Sequence, residues 1–321
     1  MSPLVNTALG PIETSRLGFT LMHEHVVIQS PGLRDNWPET FDRAEVLEHA
    51  AGKLREARAH GVETMVDLTT VDLGRDIPLV AEIAGRAEMQ VIVATGLHIN
   101  PPRYFHNRPV DVATRLFVRD IIEGVHGTAV KAGVIKLACN YPTVEGPFEI
   151  AFRAGARAHR QTGVPISTHT DSLQRSGLDQ QRILAEEGVD LGRVVIGHSG
   201  DTEDVDYLER LLERGSYLGM DRFGLDHFGG QELLTTPRRV RVIAELCRRG
   251  YADRMVLSHD ASAYADPREP AYTERTWPNW RFTHIPREVL PALLEAGVSQ
   301  AQIDQMARHN PRAIFERQGA Y

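Results

Sequence analysis

Eight short runs rich in β-branched and apolar residues alternate with amphipathic stretches of helical period, and this alternation restricts the fold more than any other feature. The runs are FTLMHEH (19–25), VETMVDLT (62–69), VIVATG (91–96), GVIKLA (133–138), VPISTHT (164–170), RVVIGHS (193–199), SYLGMD (216–221) and RMVLSHD (254–260). Strands that each lead to a helix pair in parallel with the helices outside, and eight such units close into a barrel. The expectation is an α/β protein, a single (β/α)8 TIM barrel over residues 1–321, ending in a helix after Ser299. No linker, low-complexity tract or second compositional regime interrupts it.

Local signals agree with this reading. AEVLEHAAGKLREARAHG stops at Gly61, and TPRRVRVIAELCRRG opens with Thr236 as N-cap, has Pro237 at the first helical position and closes at Gly250. SQAQIDQMARH carries a capping box, Ser299 with Gln302 three residues on. Arginines 238, 239, 241, 248 and 249 read as a solvated helix face.

A net charge of −7 argues against nucleic acid or an anionic membrane as partner. MSPLVNTALG lacks the pattern of a secretory leader, and no run approaches the eighteen or so apolar residues of a membrane helix. Two cysteines, Cys139 and Cys247, make no disulfide framework, which fits a cytoplasmic protein. Cys139 reads as a small hydrophobe in the barrel wall rather than a reactive thiol.

In such a barrel, chemistry sits at the C-terminal ends of the strands. Those ends carry His23 and His25, Lys136, His169, His198 and Asp260, which are metal-ligand types more than packing types. Side chains alternate along a strand, so His23 and His25 share a face while Glu24 points away, and only one of His259 and Asp260 faces inward. Each histidine alone reads equally well as a core or surface residue. The set gathered on one rim does not.

Four histidines and an aspartate exceed what one catalytic zinc uses. Two ions about 3.5–4 Å apart would use them all, but need a bridging anion. Lys136, in a short buried strand, cannot bridge as an ammonium. Its amine could become a Schiff-base nucleophile, as in a lyase, or could add CO2 to give a carbamate whose oxygens span two cations. The ring of imidazoles favours the carbamate over the imine, and a salt-bridged lysine is the plain alternative.

With these motifs in view, the sequence resembles the phosphotriesterase family of the amidohydrolase superfamily, most nearly its phosphotriesterase-like lactonases. The resemblance covers GPIETSRLGFTLMHEH, VIKLA, STHT, RVVIGHSGDTEDVDYL, GMDRFGLD, MVLSHD and NPRAIF. It implies two divalent ions per chain, with zinc expected and cobalt, iron or manganese as alternatives. His23, His25 and Asp260 would hold the buried ion and His169 and His198 the exposed one, bridged by carboxylated Lys136 and a hydroxide nucleophile. Asp260 would accept the proton, and Asp201 matches a second carboxylate of the family's proton path. Its other reading is an acid at the start of the helix in TEDVDYLERL. The resemblance also implies a homodimer.

Substrate choice lies in the loops. By the same resemblance, Arg222 and Trp280 match pocket residues of the lactonases. The run from Ala261 to Ile285 carries Tyr264, Tyr272, Trp277, Trp280 and Phe282 and reads as an ordered apolar lid. After strand 3, GLHINPPRYF puts His98 and Asn100 where those lactonases carry two tyrosines, and its double proline resembles the phosphotriesterases proper. The expected activity is a lactonase on acyl-homoserine or other apolar lactones, with side activity on aryl phosphotriesters. The alternative is a phosphotriesterase (aryldialkylphosphatase) or carboxylesterase as main activity.

Overall fold

The computed structural model describes residues 3–316 and 319–321. The expected strands are present: β1 (Thr20–Ile28), β2 (Thr64–Asp67), β3 (Gln90–Gly96), β4 (Val134–Ala138), β5 (Ile166–His169), β6 (Val194–Ile196), β7 (Tyr217–Met220), β8 (Met255–Leu257) and β9 (Ser262–Ala265). All pair in parallel, in the order β8-β7-β6-β5-β4-β3-β2-β1-β9.

The eighth strand is in two pieces. Its first half, β8, pairs with β7, and its second half, β9, pairs with β1 through Ser262 opposite His25. Between them the chain kinks at Asp260, whose φ of 56° is left-handed. Bonds from His23 N to Ser258 Oγ, Asp260 N to His23 O and His25 N to Ala261 O tie the kink to β1, so the (β/α)8 barrel closes. The run 261–285, read from sequence as a lid, thus begins as barrel wall. It continues into a helix, Pro270–Thr276, and buries Trp277, Trp280 and Phe282, while Tyr272 is exposed and Tyr264 half-buried.

Apolar residues alternating along the strands divide the core. Met22, Val66, Ile92, Ala94, Val134, Val195 and Val256 pack together with Val5 and Ile12 of an N-terminal hairpin and Ile314 and Phe315 of the last helix. The opposite faces of the strands meet the surrounding helices in a larger cluster that includes Cys139, packed there as a small hydrophobe with its thiol pKa raised by burial. No described helix is long and apolar enough to cross a membrane.

The Ser299 capping box forms, and the helix Arg43–Ala59 ends with His60 as C-cap before Gly61 at φ 90°. Two expectations need correction. The helix Thr236–Arg248 starts one residue earlier than its composition implies, with Thr235 at the N-cap and no side-chain cap. Arg239 is not on a solvated face: it is 2% exposed and binds Leu234 O, Gly200 O and Asp201, whereas Arg238 pairs outside with Glu203. A guanidinium satisfied on several sides can be buried where an unpaired one cannot.

Candidate active site

At the C-terminal rim, β1 brings His23 and His25 to one face while Glu24 turns away. Glu24 accepts from Ser258 Oγ, from His259 N and Nδ1, and from Ala261 N. His259 therefore faces out and Asp260 in, as a single inward position at the strand end requires. His198 and Asp260 both lie beyond the last paired residue of their strands, at φ 57° and 56°. They reach the centre through tight left-handed turns, a conformation that non-glycine residues hold only when their surroundings secure it. For His198 the securing bonds are its own N to Asp221 Oδ1, at 2.8 Å, and Ser172 Oγ to its carbonyl.

The hydrogen bonds fix how each ring is turned. His23 and His198 direct Nδ1 to the two oxygens of Asp221, at 2.7 and 2.9 Å. His25 Nδ1 meets Thr69 Oγ1 at 2.9 Å, and that hydroxyl donates to Asp67. His169 uses Nε2 on Asn140 Oδ1, at 2.6 Å. With those nitrogens donating, the other nitrogen of every ring is a lone pair aimed inward. His169 Nδ1 and His198 Nε2 then face each other at 2.8 Å. Asp260 Oδ1 stands 3.2 Å from His25 Nε2 and 3.3 Å from His23 Nε2. Lys136 Nζ is 2.9 Å from His23 Nε2.

Lone pairs and a carboxylate crowded at such distances repel unless a proton or cation lies among them. His23, His25, His169, His198 and Asp260 could hold metal ions, with Lys136 among them; the His23, His198 and Asp260 ligand atoms lie within 4.8 Å of one another. The rings are held by carboxylate, hydroxyl and amide partners, as metal-binding imidazoles usually are.

For His23, His169 and His98 the electrostatics fit neutral rings near a buried amine. Burial, then Lys136, lowers His23 to about 3, and burial pushes His169 and His98 well below the ordinary histidine value. Lys136, fully buried, falls to about 8 through desolvation, against the pull of Asp260 and Asp221. Burial alone would raise Asp260; charge on His23 and His198 whenever those rings take a proton, then the His25 contact and the Arg222 guanidinium, outweigh it and hold the carboxyl well below its usual range.

Asp201 does not start the following helix. Asp204 caps Val205–Glu213, and Asp201 instead receives Arg222 Nη1 at 2.8 Å and Arg239 Nη1 at 2.6 Å. Arg222 Nε reaches Asp260 Oδ2 at 3.1 Å, so Asp260, Arg222 and Asp201 form one chain. His98 sets its ring edge against His169, centroids 4.9 Å apart, with its backbone N on Asp72 and its buried Nδ1 unpartnered among the described residues. Trp280 packs and lines at once: Nε1 donates to His259 O while the ring faces the cavity. That cavity, about 360 Å3, opens over the cluster and includes His98, Arg222, Trp280, Leu73, Ile99 and Phe228.

Asp221, the shared partner of two rings, escaped the sequence reading although it closes SYLGMD at a strand end. That position was the available signal. Thr69 and Asn140 carried none, being unremarkable residues just beyond strand ends.

The sequence profile of the phosphotriesterase family matches residues 3–315. A phosphotriesterase homology protein of Mycobacterium tuberculosis is 48% identical, with 99% of each chain covered. An aryldialkylphosphatase of Saccharolobus solfataricus is 37% identical over 95% of this chain and 96% of its own. The solved structure of the phosphotriesterase from Mycobacterium tuberculosis superposes with a TM-score of 0.94 at 48% identity, over 99% of this chain and 100% of that one. Agreement of sequence and fold over that span, on a barrel whose rim gathers these imidazoles around a buried lysine, places the chain in the phosphotriesterase family.

Proposed function

We propose that this protein is a binuclear metal-dependent hydrolase whose main activity is opening apolar lactones, acyl-homoserine lactones among them, with aryl phosphotriester hydrolysis as a side activity. The observation that carries the metal is the crowding of unprotonated nitrogens and an aspartate around one buried amine. His23, His25 and Asp260 would hold one ion and His169 and His198 the other, with carboxylated Lys136 as the anion between them and zinc as the expected metal. When bound, the pair supplies Lewis acidity and an acidified water as nucleophile.

The chain's own groups do the rest. Asp260 takes the proton released on attack, and Arg222 keeps that carboxylate ionised and oriented beforehand. Asp201, held by Arg239, stands next along the route outward. His98 has a buried ring nitrogen to spare for a substrate oxygen. Ile99, Leu73, Phe228 and Trp280 give the cavity apolar walls, and its roughly 360 Å3 suits a small ring with a short tail. An imine at Lys136 would leave the surrounding lone pairs without a use.

A phosphotriesterase as main activity is the second reading, favoured by the aryldialkylphosphatase relative and by the double proline after His98. The test is kcat/KM of metal-loaded protein, prepared with bicarbonate, on a panel of lactones against an aryl dialkyl phosphate. Lactones are expected to win by orders of magnitude; a phosphate preference selects the second reading. Refilling chelated protein with Zn2+ or Co2+ should restore two ions per chain, and one ion per chain sinks the binuclear site.

A further inference from the structure

We infer that Arg268 is an anion-recognition residue of the active-site cavity, and that the cavity also takes esters or lactones carrying a carboxylate remote from the bond that is cleaved. This rests on the hydrolase reading above and extends its substrates beyond the neutral lactones.

Arg268 lies on the chain between the end of β9 and the helix Pro270–Thr276. Its side chain lines the cavity over the metal-ligand cluster together with Asp260, Arg222 and Trp280. It also borders a second cavity of about 390 Å3 behind Trp280, reaching Tyr264 and Phe282. The guanidinium sits over two aromatic rings, 5.4 Å from the Trp280 centroid and 5.6 Å from that of Phe228. Such faces attract a cation and fix the plane of its fork.

Among the described residues its guanidinium has no ion pair, and its Nε is buried without a hydrogen-bond partner. The neighbouring carboxylates are committed elsewhere. Asp260 and Asp201 are taken by Arg222 and Arg239, and Asp171, across the cavity, accepts from Leu173 N, Gln174 N and Gln174 Nε2. Burial lowers the pKa of Arg268 from its ordinary value, with Asp260 pulling the other way, so the charge is held at a cost. A partly buried guanidinium held between two rings without an ion pair can take an anion, and a carboxylate matches its paired N–H geometry. The apolar walls around it suit the chain joining that carboxylate to the reacting end.

The test compares hexanoate with hexanamide, alike in size and shape but differing in charge and in one donor for an acceptor, with binding to zinc-loaded protein followed by tryptophan fluorescence. Wild type should bind hexanoate about tenfold tighter, the scale of one charge-assisted hydrogen bond, and Arg268→Met should erase the preference while Arg268→Lys keeps part of it. Equal binding by wild type overturns the inference, as does a preference that survives Arg268→Met, since the carboxylate would then sit on the metals. Should Arg268→Met fail to fold, the wild-type ratio and Arg268→Lys decide. A kinetic arm uses the 4-nitrophenyl monoester of adipate against 4-nitrophenyl hexanoate, where Arg268→Met should raise KM for the former only. No turnover of either ester defeats the hydrolase reading, while the binding arm still judges Arg268.

Discussion

Asp221 places one carboxylate oxygen on each of two histidines from different strands, Oδ2 on His23 Nδ1 at 2.7 Å and Oδ1 on His198 Nδ1 at 2.9 Å. Burial favours its neutral form, but His198 and His23 outweigh that and hold it ionised, far below the carboxylate range. One residue thus sets the tautomer of a ring from each half of the proposed metal pair. Asp221→Asn should lower affinity for both ions by about 10–100-fold. Competition with a chromophoric chelator reads this directly, and a loss confined to one ion would refute the shared role.

Gly96 ends β3 at φ 107°, and a Cβ there would stand 1.9 Å from the backbone oxygen of Lys136. Neither a rotamer change nor a small shift relieves a clash with backbone. Gly96→Ala should cost at least about 3 kcal/mol and displace the strand that carries Lys136. Urea unfolding gives the stability loss. Metal content of the folded fraction reports the displacement.

Arg239 is buried with Asp201 as its ion-pair partner and Gly200 O, Leu234 O and Leu225 O as further acceptors. Removing Arg239 leaves three carbonyls without its donors and the Asp201 carboxylate with Arg222 as its remaining ion-pair partner. Arg239→Met should destabilise by about 3 kcal/mol. Partial recovery with Asp201→Asn in the same chain would show that the weakened carboxylate is part of the cause.

His159 donates Nδ1 to Val164 O at 2.7 Å and accepts the Tyr321 hydroxyl on Nε2 at 2.6 Å, an arrangement for the neutral ring. Burial lowers its pKa from 6.5 to about 4. Between those values the unfolded chain binds the extra proton, so stability falls as pH drops from about 6.5 toward 4 and is intact above. The full loss is about 3 kcal/mol at 1.36 kcal/mol per unit. His159→Gln should flatten that window in thermal melts across pH.

The barrel was legible because it depends on local periodicity: period two in the strands, 3.6 in the helices, and turns between. The face of Glu24 against His23 and His25 was legible for the same reason, since alternation along a strand needs no partner. Arg239 was misread because helical spacing says which face a side chain lies on, not whether a carboxylate and three carbonyls wait beneath it. Asp201 was ambiguous until Asp204 proved to be the cap.

Sequence by itself determined the eightfold alternation, the ligand types at the strand ends and the oddity of a lysine in a buried strand, all properties of residue order. Only the tertiary structure decided that the eighth strand breaks to turn Asp260 inward, that His198 arrives through a left-handed turn, and that one aspartate orients two rings. Among the described residues it also left Arg268 without an ion pair at the cavity wall. These depend on which distant segments meet, and hydrogen bonds and charges gain or lose their worth only when closure of the barrel takes them out of water.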